Sequence, residues 1–558
     1  MDARRNWIIG ILLFLALSVA GLTVRPLVVP YEPRYGIIPA EMVDSGNWLA
    51  LRMAGFVYYE KPPLGYWLTA ASMSAFGQNA FAIRLPSAVA TLVVALVVAW
   101  MAVRITGRRA DGPLAFMVQA TTLAPLIIGT VALLDPPFAA FVALSMGALY
   151  CACTTIGRAR AGWLALAGVA AGFAFLTKGL LAFAIPGVTA LLFLAWERRW
   201  KDMLTMPWIP LGAAAITIAP FAWMIHRAEP GFWEYFIVVE HFRRVASPDS
   251  NQHPEPWWQF LVVFPIGALL WTLAWPNAWK GLRDATEWRS GMRFMAAWVI
   301  APITLLSLSS GKLPTYVLPL FAPVAVLVAI GLLRARAAER VMPDRLAVLA
   351  RMLVRIAAVA AFTIAITGGR RFGIPVLWES GESLRFTYIG AALLLWAQLD
   401  VWSWKAADPR TWLLRTVLAP VPVLLAIQFL YPEAALSAVK HPWPFLQRHA
   451  EELRAVNVLV TSAAPAHALS WVTGRRDFVI AGSPSEFDNE LNLPQEQSRK
   501  IEWSTVAAKV LATKALAPAQ SIAVLGSTLE LERLVQTPGL PAPDARETVG
   551  SITIMHWR

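Results

Sequence analysis

The sequence predicts a polytopic α-helical membrane protein of about thirteen spans, with a small α/β domain outside the membrane at its C-terminal end. Three observations carry this expectation. Hydrophobic residues make up 57% of the 558 residues and charged residues only 15%, against ~25% charged in ordinary soluble chains. The apolar residues gather into runs of about 20, the length that crosses a ~30 Å hydrocarbon core. From about residue 431 those runs give way to short β-rich stretches that alternate with helical patterns.

The predicted spans lie at roughly 7–24, 86–105, 113–132, 138–156, 162–177, 180–196, 207–225, 259–279, 293–309, 315–333, 350–368, 386–402 and 411–430. The first follows Arg4 and Arg5 like a signal peptide, with weak cleavage chemistry at Ser18-Val19-Ala20. Its apolar sequence runs on to Val24, which favours an uncleaved helix. Orientation follows from the basic residues. With the N-terminus inside, 23 of the 48 Lys and Arg fall in inner loops, 13 in outer loops before residue 431 and 12 beyond it. That bias sets the N-terminus in the cytoplasm and, with an odd number of spans, the C-terminal domain on the far side. The net charge of +13 therefore reads as topology first and anionic lipid second, and not as nucleic-acid binding. Two cysteines in one apolar stretch, Cys151 and Cys153, exclude a disulfide framework and a four-cysteine metal site.

Residues 1–430 are thus expected to form the membrane domain and 431–558 the α/β domain. Strands are expected at 456–461, 478–481, 522–525 and 552–555, and helices at 444–455 and 505–515. This domain has no Gly-rich phosphate loop and is assigned no chemistry. The chemistry is expected in two long outer loops, about 25–85 and 226–258, since loops of that length are more often functional than accidental.

The first loop contains Tyr31-Glu32-Pro33-Arg34-Tyr35, an amphipathic stretch over 37–45, and Tyr58-Tyr59-Glu60-Lys61-Pro62-Pro63. The second contains Glu240-His241-Phe242-Arg243-Arg244. Short outer turns add Asp135-Pro136-Pro137, Thr177-Lys178-Gly179 and Gly311-Lys312-Leu313-Pro314-Thr315-Tyr316. Each has an ordinary explanation as a solvated ion pair, an aromatic belt or a snorkelling lysine. Their shared expected face argues for function, because charge at membrane depth is costly unless it is paired or faces a cavity. Carboxylates, cations and aromatics together suit a substrate with a phosphate, a sugar and an apolar tail.

In this order of motifs the chain resembles the bacterial aminoarabinose transferases that modify lipid A, within the C-type superfamily of integral-membrane glycosyltransferases. The resemblance implies transfer of 4-amino-4-deoxy-L-arabinose from undecaprenyl phosphate to lipid A phosphates at the periplasmic face of the inner membrane, conferring resistance to cationic peptides such as polymyxin. It implies Glu32, Glu60, Lys61 and Asp135 as catalytic residues. Arg34, Tyr35, Tyr58, Tyr59, Lys178, Arg243, Lys312 and Tyr316 would bind substrate. A divalent metal, zinc, would be held by Glu60 and His241. The implied partners are the carrier-linked amino sugar, lipid A and membrane lipids, with no nucleic acid and the chain a monomer. The family's first loop reads Asp-Glu-x-Arg-Tyr, whereas Tyr31 stands here in the place of the Asp. The alternatives are a protein O-mannosyltransferase-like enzyme or another polyprenyl-phosphate-sugar transferase, a transporter, and a non-catalytic lipid-binding relative.

Overall fold

The computed structural model describes residues 3–23, 25–29, 31–243, 255–283, 285–309, 311–338, 345–367, 383–429, 442–484, 487–517 and 519–558. The chain divides into two compact units. One comprises Met1–Arg25, Glu60–Leu68 and Arg84–Tyr431, and the other Pro26–Tyr59, Thr69–Ile83 and Pro432–Arg558.

The first unit is helical. Among the described residues, eight helical segments are long and apolar enough to cross a membrane, including Ala3–Thr23, Ala80–Thr106, Asp135–Thr154, Gly157–Lys178 and Pro314–Ala337. Several expected spans are interrupted, each at an identifiable residue. The 113–132 run ends one helix at Ala120 and starts another at Leu123. There the hydroxyls of Thr121 and Thr122 turn back onto the carbonyls of Met117 and Val118, both at 2.8 Å, and Pro125 has no N–H to continue the ladder. The 259–279 run becomes Gln259–Gly267 and Thr272–Leu282, bent by 91°. Pro265 lies inside the first piece, Thr272 donates to the Pro265 carbonyl at 2.5 Å, and Leu270 takes the left-handed conformation at φ 81°. The 411–430 run breaks at Ala419-Pro420, between Pro409–Leu418 and Val421–Phe429.

Helix contacts use small residues where backbones meet, as expected where lipid leaves packing to hold helices together. A Cβ on Gly281 would lie 2.0 Å from the Gly331 carbonyl oxygen, and one on Gly331 would lie 2.5 Å from that of Ala278. Two arginines close the C-terminal end of the first helix. Arg84, 1% exposed, donates to the carbonyls of Leu22 at 3.2 Å and Arg25 at 2.7 Å. Arg25 donates to the Thr130 carbonyl at 2.9 Å and its hydroxyl at 2.7 Å. The Leu22 carbonyl lies at a helix end, where it has no partner within the helix.

The second unit carries the strands. β1 (Arg52–Met53) and β2 (Phe56–Val57) form a hairpin whose turn needs positive φ at Ala54 and Gly55. A six-stranded sheet is built from β3 (Val458–Thr461), β4 (Val479–Ala481), β5 (Lys500–Ile501), β6 (Ile522–Ser527), β7 (Ala545–Val549) and β8 (Ile552–Trp557) in the order β5-β4-β3-β6-β8-β7. The first four in that order are parallel, and β8 and β7 are antiparallel additions. Val460, Val506, Val510, Val524, Leu531, Met555 and Trp557 fill a core between strands and helices. Ser527 and Glu530 form a reciprocal capping box at the start of Thr528–Val535. The first-loop hairpin is tied to this part of the chain. The Arg499 guanidinium lies 3.4 Å from the Phe56 ring centroid and donates to the Ala54 carbonyl at 3.1 Å. Val57 N–H donates to Glu496 at 3.3 Å.

Candidate active site

In the helical unit, two of the expected charges sit at helix ends of matching sign. Asp135 opens Asp135–Thr154, where Pro136 presets the first turn and a carboxylate faces the positive end of the helix. Lys178 closes Gly157–Lys178 at the negative end, and Gly179 at φ 92° turns the chain away. The two side chains meet, with Lys178 Nζ donating to Asp135 Oδ1 at 2.5 Å and both about nine-tenths buried. The same ammonium lies 4.8 Å from the Tyr316 ring centroid, within cation–π range.

Lys61 follows the buried Glu60, which is 6% exposed. Its ammonium donates to the Glu60 carbonyl at 3.1 Å and pairs with the Glu240 carboxylate. Glu240 lies on the π-helix Glu234–Arg243, with its side chain 8% exposed. Four residues after Lys61, a Cβ on Gly65 would lie 2.3 Å from Leu134 and 3.5 Å from Thr177. Those are the chain neighbours of Asp135 and Lys178, so the helix that begins at Leu64, just after Glu60-Lys61, packs beside the start of Asp135–Thr154 and the end of Gly157–Lys178. Aromatic contacts connect the surrounding helices: Phe175–Phe236 at 6.0 Å, Trp67–Phe221 at 6.2 Å and a stacked Phe232–Phe236 at 5.4 Å. Lys312 is 3% exposed, and its ammonium is held by backbone carbonyls, those of Ser309 and, at 2.8 Å, Glu255.

Other expected site residues belong to the second unit. Tyr31 is 53% exposed, whereas Glu32 is 1% exposed and its Oε2 accepts from Val28 N–H at 3.0 Å. Both stand in the first turn of Tyr31–Ser45. Arg34 lies 5.6 Å from the ring centroid of the buried Tyr58. Tyr35 is half-buried and Tyr59 buried. Glu41, which the sequence reading did not single out, accepts from Gly55 N–H at 3.1 Å. Burial pushes its carboxyl above the ordinary 4.5, and the Arg476 guanidinium pulls it back part of the way. His241 and Arg243 fall on the π-helix, and their side chains lie outside the described residues.

The sequence reading missed Glu240 as the partner of Lys61. A signal was present: it is an acid in a loop rich in aromatics, one residue before His241, and a carboxylate in such a setting needs a cation.

Comparison with known proteins places these residues in a family. The transferase named undecaprenyl phosphate-α-4-amino-4-deoxy-L-arabinose arabinosyl transferase from Enterobacter sp. (strain 638) is 30% identical over 88% of this chain and 87% of its own. The chain belongs to this arabinosyl transferase family. A second relative of that name, transferase 2 from Sodalis glossinidius, is 33% identical over 88% of each chain. The family described as dolichyl-phosphate-mannose-protein mannosyltransferase matches residues 5–236, which include Glu60, Lys61, Asp135 and Lys178. Among solved structures, ArnT from Cupriavidus metallidurans bound to undecaprenyl phosphate is similar at a TM-score of 0.76 and 19% identity, covering 98% of this chain and 97% of that one. The likeness establishes the arabinosyl transferase family's fold for this chain. The chain is a polyprenyl-phosphate-dependent glycosyltransferase by kinship, with multiple apolar helices.

Proposed function

We propose that this protein moves 4-amino-4-deoxy-L-arabinose from undecaprenyl phosphate to phosphate groups of lipid A on the outer face of the inner membrane. The observation that supports the reading is the packing of Gly65, a few residues after Glu60 and Lys61, against Leu134 and Thr177, the chain neighbours of Asp135 and Lys178. The N-terminus lies inside, thirteen spans cross the bilayer, residues 431–558 form a domain in the periplasm, and the chain acts as a monomer.

A lipid A phosphate is ionised at neutral pH, so its oxygen attacks the anomeric carbon without a strong base. The bond from that carbon to the carrier phosphate breaks with inversion, and the departing polyprenyl phosphate takes the electron pair. Lys61 stabilises this growing negative charge, because a fixed cation in a water-poor site needs no reorganisation during the step. In the absence of carrier, Glu240 holds the ammonium in place. Lys178 and Asp135 hold each other and present Tyr316 to the sugar. Glu32 and the Arg34–Tyr58 pair are assigned to the same reaction, as are Tyr35, Tyr59, Arg243 and Lys312. A divalent metal at Glu60 and His241 belongs to the same proposal, and its test is the zinc content of Glu60→Gln, which should fall by one equivalent from that of the wild type.

Mass spectrometry of lipid A from cells with and without the protein tests the function. An aminopentose increment that depends on the protein is expected. Unmodified lipid A together with newly glycosylated protein would support instead a mannosyltransferase-like activity, the alternative favoured by the match over residues 5–236.

A further inference from the structure

The C-terminal part of the chain gathers two histidines and two glutamates. His449 joins the helices Trp443–Arg448 and Ala450–Ala455, Glu452 lies on the second of these, and His556 and Glu547 come from β8 and β7. One ligand atom from each of His449, Glu452 and His556 can be chosen so that all lie within 4.8 Å of one another. Glu452 Oε2 is 3.4 Å from His449 Nδ1 and 3.6 Å from His556 Nε2. Ligands on a tetrahedral zinc with bonds of ~2.1 Å stand about 3.4 Å apart.

His556 Nε2 supplies an independent indication. It is buried, in a residue only 3% exposed, and makes no hydrogen bond among the described residues. A buried ring nitrogen that makes no hydrogen bond is costly, and a ligand would satisfy it. The surroundings are ordered as they are around bound metals. His449 turns its other nitrogen, Nε2, to Glu547 Oε2 at 3.0 Å, the outer carboxylate that fixes a ligating imidazole. Arg558 takes Glu452 Oε1 at 2.6 Å and Arg448 takes Glu547 Oε1 at 3.1 Å. Each carboxylate is thereby pinned by one oxygen and points the other inward.

We propose that His449 Nδ1, Glu452 Oε2 and His556 Nε2 form a zinc site in the C-terminal part of the chain, with Glu547 as its outer carboxylate and a fourth position open to water. Two imidazoles and one carboxylate are a zinc donor set. Bound zinc would join the helix at 450–455 to β8, coupling metal binding to the stability of this part of the fold.

The test uses the full-length protein in detergent, in the Glu60→Gln background, so that the metal proposed at Glu60 and His241 does not contribute. Zinc content after dialysis and the thermal shift on adding zinc are measured there, then in His449→Ala, His556→Gln and Glu547→Gln. Zinc is expected in the parent and lost in the two histidine variants. Because His556 is buried and its replacement can unfold the domain, Glu547→Gln is the discriminating variant: its carboxylate is partly exposed, and the variant is expected to bind zinc about 10–100-fold more weakly. No zinc in the parent, or zinc binding unchanged in His449→Ala and Glu547→Gln, would overturn the proposal. The outcome is independent of whether the chain transfers aminoarabinose.

Discussion

Lys61→Ala separates a catalytic cation from a structural one. The lysine has two jobs in the account above: it neutralises Glu240, and it stabilises the departing phosphate. Removing one preorganised donor from a developing charge costs ~10²–10³ in kcat. The other cost is to the fold. Glu240 is 8% exposed at its side chain and would lose the cation paired with it. Breaking a fully buried pair costs about 3–5 kcal/mol, and less here because the Lys61 side chain is 18% exposed. A loss of activity in the single variant could therefore come from either job. The double variant Lys61→Ala/Glu240→Gln removes both charges, so stability should return towards wild type while transfer stays depressed by ~10²–10³. The assay is transfer of labelled aminopentose from the carrier to lipid A in proteoliposomes, with a melting curve for each variant in detergent. Recovery of transfer in the double variant to within about threefold of wild type would refute the reasoning, since Lys61 would then be no more than a counter-ion.

Lys178→Met should destabilise the helical unit by about 3–5 kcal/mol, and Lys178→Met/Asp135→Asn by much less, because the second change removes the stranded carboxylate. Thermal unfolding of the three proteins checks this. Gly281→Ala should lower stability by about 1–3 kcal/mol, since its methyl would meet the Gly331 carbonyl backbone; a melting temperature equal to wild type would show that the two helices can separate freely. Glu41 carries a pH dependence of known sign. Its folded-state carboxyl titrates above the ordinary 4.5, so the folded form keeps a proton that the unfolded form has lost. Its contribution to stability is full below 4.5 and is lost as pH rises through the raised value. In Glu41→Gln, denaturation midpoints measured across that interval should vary less with pH than in wild type.

The apolar runs and the local turn chemistry were legible in the sequence, because bilayer thickness and helix period act on neighbouring residues. The first helix and the strands near 458–461, 479–481, 522–527 and 552–557 could be read this way, whereas Asp135-Pro136-Pro137, expected as an outer turn, forms the first turn of a helix. The breaks at Thr121-Thr122, Pro265 and Pro420 were written there too, but hydropathy averages over them. β5 and β7 escaped notice because one has two residues and the other alternates exposed and half-buried positions at a sheet edge.

Motif order was enough to suggest the family and to nominate Lys61, Asp135 and Lys178. It could not supply their partners. Lys61 finds Glu240 across 179 positions and Lys178 finds Asp135 across 43, while His449, between two helices, and His556, on β8, meet only in the folded chain. A charge is a property of one residue and can be read from its letter. Whether it is neutralised, buried or poised against a ligand is a property of a pair, and only chain folding brings that pair together.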